Sequence, residues 1–166
     1  MTNIINPLCE QIVSDKNFYI IDDIKSKPAY IISDNGEFNI INNNEKNITF
    51  IAIDSCIYNS DDDTRCDFAI YDENNFCFVE LKHTEKRTSW KRHRKKAQEQ
   101  LESTINDFKS VAITDNKQLE AYMCCTCKIS NKNTKIKNAS NQIERITYFE
   151  ENLDTILYCD NQKEFK

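Results

Sequence analysis

The residues best suited to chemistry in this sequence are two carboxylates and a lysine near its middle: Asp67, Glu80 and Lys82. Residues 66–71 and 76–82 read as β-prone runs around Asp72, Glu73, Asn74 and Asn75, a turn-forming tetrapeptide. Strands joined by so short a turn must be antiparallel. The start of the first therefore lies beside the end of the second, and Asp67 neighbours Glu80. Lys82, two residues further on, points to the same face as Glu80. Carboxylates are the ligands Mg²⁺ prefers, with substrate phosphate and water completing the shell. A cation held there polarises a phosphoryl oxygen and activates water. A lysine beside it can hold the attacking water, or as a neutral amine deprotonate it, and steady a pentavalent transition state. These charges follow directly on a buried-looking run, FCFV, where solvated charge is not expected.

The elements that must position them are short. Residues 18–21 and 30–32 are β-prone, and Asp34, Asn35 and Gly36 predict a hairpin from 30–32 into 37–41. Residues 7–13 fit a short helix carrying Glu10. Residues 49–58 predict a buried strand carrying Asp54, and 59–64 an acidic loop. After Lys82 the period changes. Trp90, Ala97, Leu101, Ile105 and Phe108 fall on one helical face, so 89–109 is read as an amphipathic helix with Ser89 at its N-cap. Trp90 is in phase with that core face. Residues 119–127 predict another buried strand. Strand, helix, strand implies a right-handed crossover to a parallel neighbour. A basic loop at 130–138, a helix at 140–151 and a strand at 155–159 complete the chain.

Residues 65–82 read RCDFAIYDENNFCFVELK: an Asp, twelve residues, then Glu-Leu-Lys. In this strand–turn–strand–helix setting the pattern resembles the PD-(D/E)XK nuclease superfamily, over residues of about 49–127. The resemblance implies an α/β restriction-endonuclease-like fold: a mixed sheet flanked by helices, here with an antiparallel N-terminal hairpin region, in one domain of 166 residues. It implies Mg²⁺ or Mn²⁺ on Asp67, Glu80 and the Leu81 carbonyl, with Lys82 assisting the nucleophile. A glutamine recurs in the helix after the E-x-K strand, and Gln100 (or Gln98) matches it. The further acid many members carry on their first helix has two candidates here, Glu10 and Asp54. Cys66 stands where the motif name has proline.

Charge placement points the same way. The chain carries 22 Lys+Arg against 27 Asp+Glu, for a net charge of −5. Residues 82–96 hold eight basic residues and one acid, a net +7, which leaves −12 for the rest. A phosphate backbone passing Lys82 would meet Lys86, Arg87, Lys91, Arg92, Arg94, Lys95 and Lys96. Such a run is otherwise a solvated helix face. Basic residues in the first turns of a helix oppose its dipole, a local cost that suggests another purpose. His83 and His93 lie in the same run and read as surface histidines.

Composition sets the outer limits. One glycine and two prolines exclude glycine-cradled phosphate sites. No apolar run is long enough for a membrane span. Residues 1–10 have no basic n-region or long apolar stretch, so a cytoplasmic setting is expected. The eight cysteines are then expected as free thiols. Cys124 and Cys127 form one C-x-x-C without a second pair at zinc spacing. The reading that follows is a small metal-dependent nuclease acting on DNA before RNA, with a protein partner or as a homodimer, in defence, counter-defence or repair. Two alternatives stay open: an inactive binding or regulatory module on the same fold, and an acidic protein that mimics nucleic acid.

Overall fold

A computed structural model describes residues 6–22, 28–59, 64–84, 86–129, 132–135 and 139–166. Its strands are β1 (Glu10–Val13), β2 (Asn17–Ile21), β3 (Tyr30–Ile32), β4 (Phe38–Ile41), β5 (Ile48–Ala52), β6 (Phe68–Tyr71), β7 (Asn75–Thr84), β8 (Gln118–Ile129), β9 (Lys132–Lys135), β10 (Ile156–Tyr158) and β11 (Gln162–Glu164). Helix α1 (Trp90–Phe108) lies between β7 and β8, and α2 (Ala139–Leu153) precedes β10. Among the described residues, seven strands make a mixed sheet in the order β1-β5-β6-β7-β8-β10, with β9 pairing β8. A four-stranded sheet runs β11-β4-β2-β3. The fold is thus α/β, and no described helix is long and apolar enough to cross a membrane.

Strict alternation along the central strands divides the core. Cys77, Val79 and Leu81 of β7 join Phe68 and Ile70 of β6 in a cluster with Phe18, Ile20, Phe38 and Ile40 of the small sheet. Phe76 and Phe78 of β7 pack instead with Ala97, Leu101, Ile105 and Phe108 of α1 and with Phe149 and Leu153 of α2. The large sheet is therefore covered by helices on one face and by the small sheet on the other. Burying one such Phe contributes about 1.5–3 kcal/mol. Glu120 of β8 locks the two sheets together: both its oxygens accept from Lys163 of β11, at 2.9 and 2.8 Å, and Tyr122 Oη donates to it at 2.8 Å.

The central expectations are met. β6 and β7 form the antiparallel hairpin, α1 follows, and β8 pairs parallel to β7. Trp90 is buried, as its phase predicts. Four expectations are corrected. Residues 7–9 form a single 3-10 turn, and Glu10 opens an edge strand that pairs with β5, so no N-terminal helix carries Glu10. The strand from 49 stops at Ala52. Ile53–Ile57 is a wide turn in which Asp54 is extended, at ψ 138°, and Ser55 lies in the left-handed region at φ 60°. β3 and β4 do not form a hairpin with each other; each pairs antiparallel with β2, which lies between them. The link through Asp34, Asn35 and Gly36 crosses over β2 instead, with Gly36 lying close against Tyr19 and the Glu37 N–H donating to Ile20 O at 2.9 Å. Ser89 precedes α1 but makes no capping bond; its hydroxyl donates to Lys86 O at 2.9 Å. Much of the expected loops at 59–64 and 130–138 lies outside the described residues, although β9 falls within the second.

The thiol expectation also needs correction. Cys9 and Cys56 are joined by a disulfide, with Cα atoms 5.8 Å apart. The turn at 7–9 and the turn at 53–57 are brought together only by the β1–β5 pairing, which sequence spacing does not reveal. Cys66, Cys77, Cys124, Cys125 and Cys159 stand outside that bridge as thiols; the Cys127 side chain lies outside the described residues. The bridge closes a loop across a sequence separation of 47 residues and should contribute about 2–4 kcal/mol. A reductant is expected to lower the thermal midpoint of the wild type and leave that of a Cys9→Ser/Cys56→Ser variant unmoved. Equal responses in a calorimetric scan would show that the bridge carries no stability.

Candidate active site

β6 and β7 position the central acids. Phe68 is registered with Val79, so one step further Asp67 stands across from Glu80, and cross-strand partners share a face. Glu80 and Lys82 continue the row of Phe76 and Phe78, the face on which α1 packs. Both acids are buried, Asp67 at 6% exposure and Glu80 at 0%. Lys82 Nζ pairs with Glu80 Oε1. The Leu81 N–H donates to Asp67 Oδ2 at 2.6 Å. Glu80 Oε2 receives no hydrogen bond from the described residues.

Electrostatics follow from that burial. Desolvation, opposed by Lys82 and reinforced by Asp22 and Asp54, pushes the Glu80 carboxyl up to about 7. Burial and then the Glu80 charge push Asp67 in the same direction, well above the usual carboxylate range. Burial pulls the Lys82 ammonium down, but Glu80 and Asp67 outweigh it, and its net shift is upward. Lys82 is therefore held as an ammonium, a donor and a positive charge and not a base.

Two further acids reach this end of the sheet. Asp54 sits on the wide turn after β5, half-buried, and its N–H donates to Asp67 O at 3.2 Å. Asp22 follows β2 of the small sheet. Its carboxyl is raised by burial and by the charges of Glu37 and Asp54, and its own charge is felt at both Asp67 and Glu80. Sequence reasoning missed Asp22. The available signal was the one used for Glu80: an acid directly after a β-prone apolar run, here FYII. Glu10, the other sequence candidate for a further acid, belongs instead to the edge strand β1. The carboxylates that chiefly raise Glu80 are Asp22 and Asp54, and those that chiefly raise Asp67 are Glu80 and Asp22.

Gln100 is buried on α1, but its amide donates to Arg65 O at 2.8 Å. Thr104, one turn on, accepts from Cys66 N–H at 2.9 Å. Helix α1 thus grips the two residues before Asp67, and Gln100 acts on the site through that backbone as a positioning residue. Gln98 accepts from Arg145 of α2 at 3.2 Å, so it is tied away from the acids.

The basic run divides. Lys86, Lys91, Arg92, Lys95 and Lys96 are exposed. Arg92, Lys95 and Lys96 line a groove of about 350 Å³ together with Thr64, Glu99 and Gln100. Arg94 does not belong to this face: it is buried at 9% exposure, with its guanidinium 5.2 Å from the Trp90 ring centroid. The helical period turns it toward the core while its neighbours face solvent. The Arg87 side chain lies outside the described residues. His93 is half-buried, and desolvation followed by Arg92, Lys82 and Lys96 pushes its ring down. His83 pairs with Glu37, whose hydrogen bond raises it.

The donor set suits a hard divalent cation: it consists of oxygens only, two of the carboxylates are desolvated, and one buried oxygen lacks a donor. Among the described residues no three His, Cys, Asp or Glu side chains form a ready-made metal cage. The Lys82 ion pair and the Leu81 N–H already engage two of the oxygens such a cage would use. Comparison with protein-family models, with curated proteins and with solved structures finds no match.

Proposed function

We propose that this chain is a small metal-dependent nuclease of the PD-(D/E)XK type, hydrolysing phosphodiester bonds in nucleic acid, DNA before RNA. The observation that carries the reading is the buried Asp67–Glu80 pair with Lys82 beside it, at the end of the β6–β7 hairpin. Two desolvated carboxylates side by side are costly unless a cation joins them. The order of the surrounding elements supports the restriction-endonuclease-like fold: hairpin, then α1, then parallel β8. It departs in that no α-helix carrying an acid precedes the hairpin among the described residues. Asp54 would take the place of that acid, and Asp22, after the last residue of β2, adds its charge beside the pair.

Asp67, Glu80, Asp54 and the Leu81 carbonyl are the groups that would hold Mg²⁺ or Mn²⁺. Bound there, the ion would polarise a phosphoryl oxygen and lower the pKa of water. The ammonium of Lys82 would donate to the attacking water or a phosphate oxygen and stabilise charge as it develops. Lys91, Arg92, Lys95 and Lys96 would hold the phosphate backbone along α1. Burial of Asp67 and Glu80 disfavours the nucleic-acid mimic, because mimicry needs its acids at the surface. The inactive-module reading draws on the Lys82–Glu80 ion pair, which engages the acid a metal would need.

Incubation of the wild type with single- and double-stranded DNA and RNA separates these readings. Cleavage is expected with Mn²⁺ or Mg²⁺ and not with EDTA. Charge reversal at Lys91, Arg92 and Lys95 should raise KM about 10-fold or more and flatten its salt dependence. Salt-sensitive binding without cleavage of any substrate would favour the module and sink the nuclease.

A further inference from the structure

We propose that Glu37, seated by Gly36 and braced by His83, is the positioning residue that sets Asp22 against the Asp67–Glu80–Lys82 cluster. This rests on the nuclease reading and adds a part the E-x-K motif does not contain.

The first observation is the chain's lone glycine. Gly36 lies where the link from β3 to β4 crosses β2. A Cβ there would stand 2.4 Å from Tyr19 Cβ and 3.0 Å from Ile20 O. Real Cβ atoms do not approach so closely, so any other residue would lift the link off β2. The φ of Gly36 is not positive; the position needs space and not an unusual backbone. With the link seated, Glu37 N–H donates to Ile20 O at 2.9 Å.

The second observation is what Glu37 does once it is there. Its Oε2 accepts the backbone N–H of Asp22 at 2.9 Å. Its Oε1 pairs with His83 Nε2. His83 Nδ1 in turn bonds to Thr126 Oγ1 at 2.6 Å, and His83 and Thr126 are registered partners on β7 and β8. One carboxylate thus joins the end of β2 in the small sheet to the two parallel strands of the large sheet. It does so one residue beyond Lys82.

The third is the placement of the Asp22 side chain. The charges that act on it are Glu37, Asp54, Lys82 and His83. Without Glu37, the segment after β2 would lose its bond to the large sheet at this point. The acid would keep its chemistry and lose its address.

The test uses the full chain without metal and then with Mn²⁺. Hydrogen exchange of the Asp22 amide, followed by NMR, should quicken at least about 10-fold in Glu37→Ala. It should stay near wild type in Glu37→Gln, which keeps an acceptor for that N–H. Mn²⁺ affinity by isothermal titration should fall about 10–100-fold in Glu37→Ala and similarly in Asp22→Asn. The double variant should be no weaker than either single, because both remove the same contribution. Unchanged Asp22 exchange in Glu37→Ala, or strictly additive losses of affinity, would overturn the strut while wild-type Mn²⁺ binding left the nuclease reading standing. A wild type that neither binds Mn²⁺ nor cleaves would overturn the nuclease reading, and the positioning role with it.

Discussion

Lys82→Ala is expected to lower the rate of metal-dependent cleavage by about 10²–10³-fold, with substrate binding little changed. That is the range seen when one donor aimed at developing charge is removed. Lys82 sits 18% exposed in its side chain, paired with a fully buried carboxylate. Its ammonium is held protonated by Glu80 and Asp67 against the pull of burial. Truncation leaves the buried Glu80 without its cation partner, so a thermal scan of Lys82→Ala is run beside the kinetics and turnover is compared below its unfolding midpoint. The effect belongs in kcat, because the charge matters most when the phosphoryl group gains charge. Steady-state kinetics with Mn²⁺ would measure it. Undiminished turnover in Lys82→Ala would end the catalytic assignment, and a change confined to KM would make Lys82 a substrate-binding residue only.

The second large effect concerns stability. Glu80 titrates near 4.5 when unperturbed and is pushed up to about 7 in the folded protein, chiefly by burial. Between those pH values the folded state holds a proton that the unfolded state has released. Stability is therefore full below about pH 4.5 and falls as pH rises through 7. The loss amounts to about 3 kcal/mol, an order-of-magnitude figure for so buried a group. Asp67 shifts in the same direction. His83 is raised as well, and its contribution is also lost as pH rises through its folded value. Urea unfolding of the metal-free wild type should thus give lower stability at pH 8 than at pH 5. Glu80→Gln cannot ionise, so it isolates the share due to that residue: its stability should vary less with pH and exceed the wild type's at pH 8. A wild type equally stable at both pH values would contradict the burial of an ionisable Glu80.

Much of the site was legible because it is local. The β6–β7 hairpin, with its short polar turn, dictates antiparallel pairing, and pairing dictates that Asp67 meets Glu80. The helical period of α1 placed Trp90, Ala97 and Leu101 in the core. It also held the reason Arg94 leaves the basic face, four residues after Trp90 and three before Ala97, although counting charges conceals it. Gln100 was found in the right helix, but its partner is Arg65 O, a contact that depends on how α1 lies across the sheet.

The N-terminal third was the least legible. Residues 7–13 and 30–41 carry short signals that suit more than one partner, and strand pairing between distant segments has no local signature. A turn tripeptide at 34–36 reads as a hairpin. Its true role, a crossing over β2, depends on Tyr19 and Ile20 lying beneath Gly36. The Cys9–Cys56 bridge is of the same kind, made possible only by the pairing of β1 with β5.

By itself the sequence determined the groups available for chemistry: a pair of carboxylates, one lysine and a basic helix, with no glycine-cradled phosphate loop. These are matters of residue type and spacing along one hairpin and one helix, where covalent geometry does the positioning. Only the tertiary structure decided which acids join that centre. Asp22, whose N–H is bonded to Glu37, comes from beside the second sheet and Asp54 from a turn. Their distance from Glu80 is set by packing between layers, an interaction between remote segments that no local period encodes.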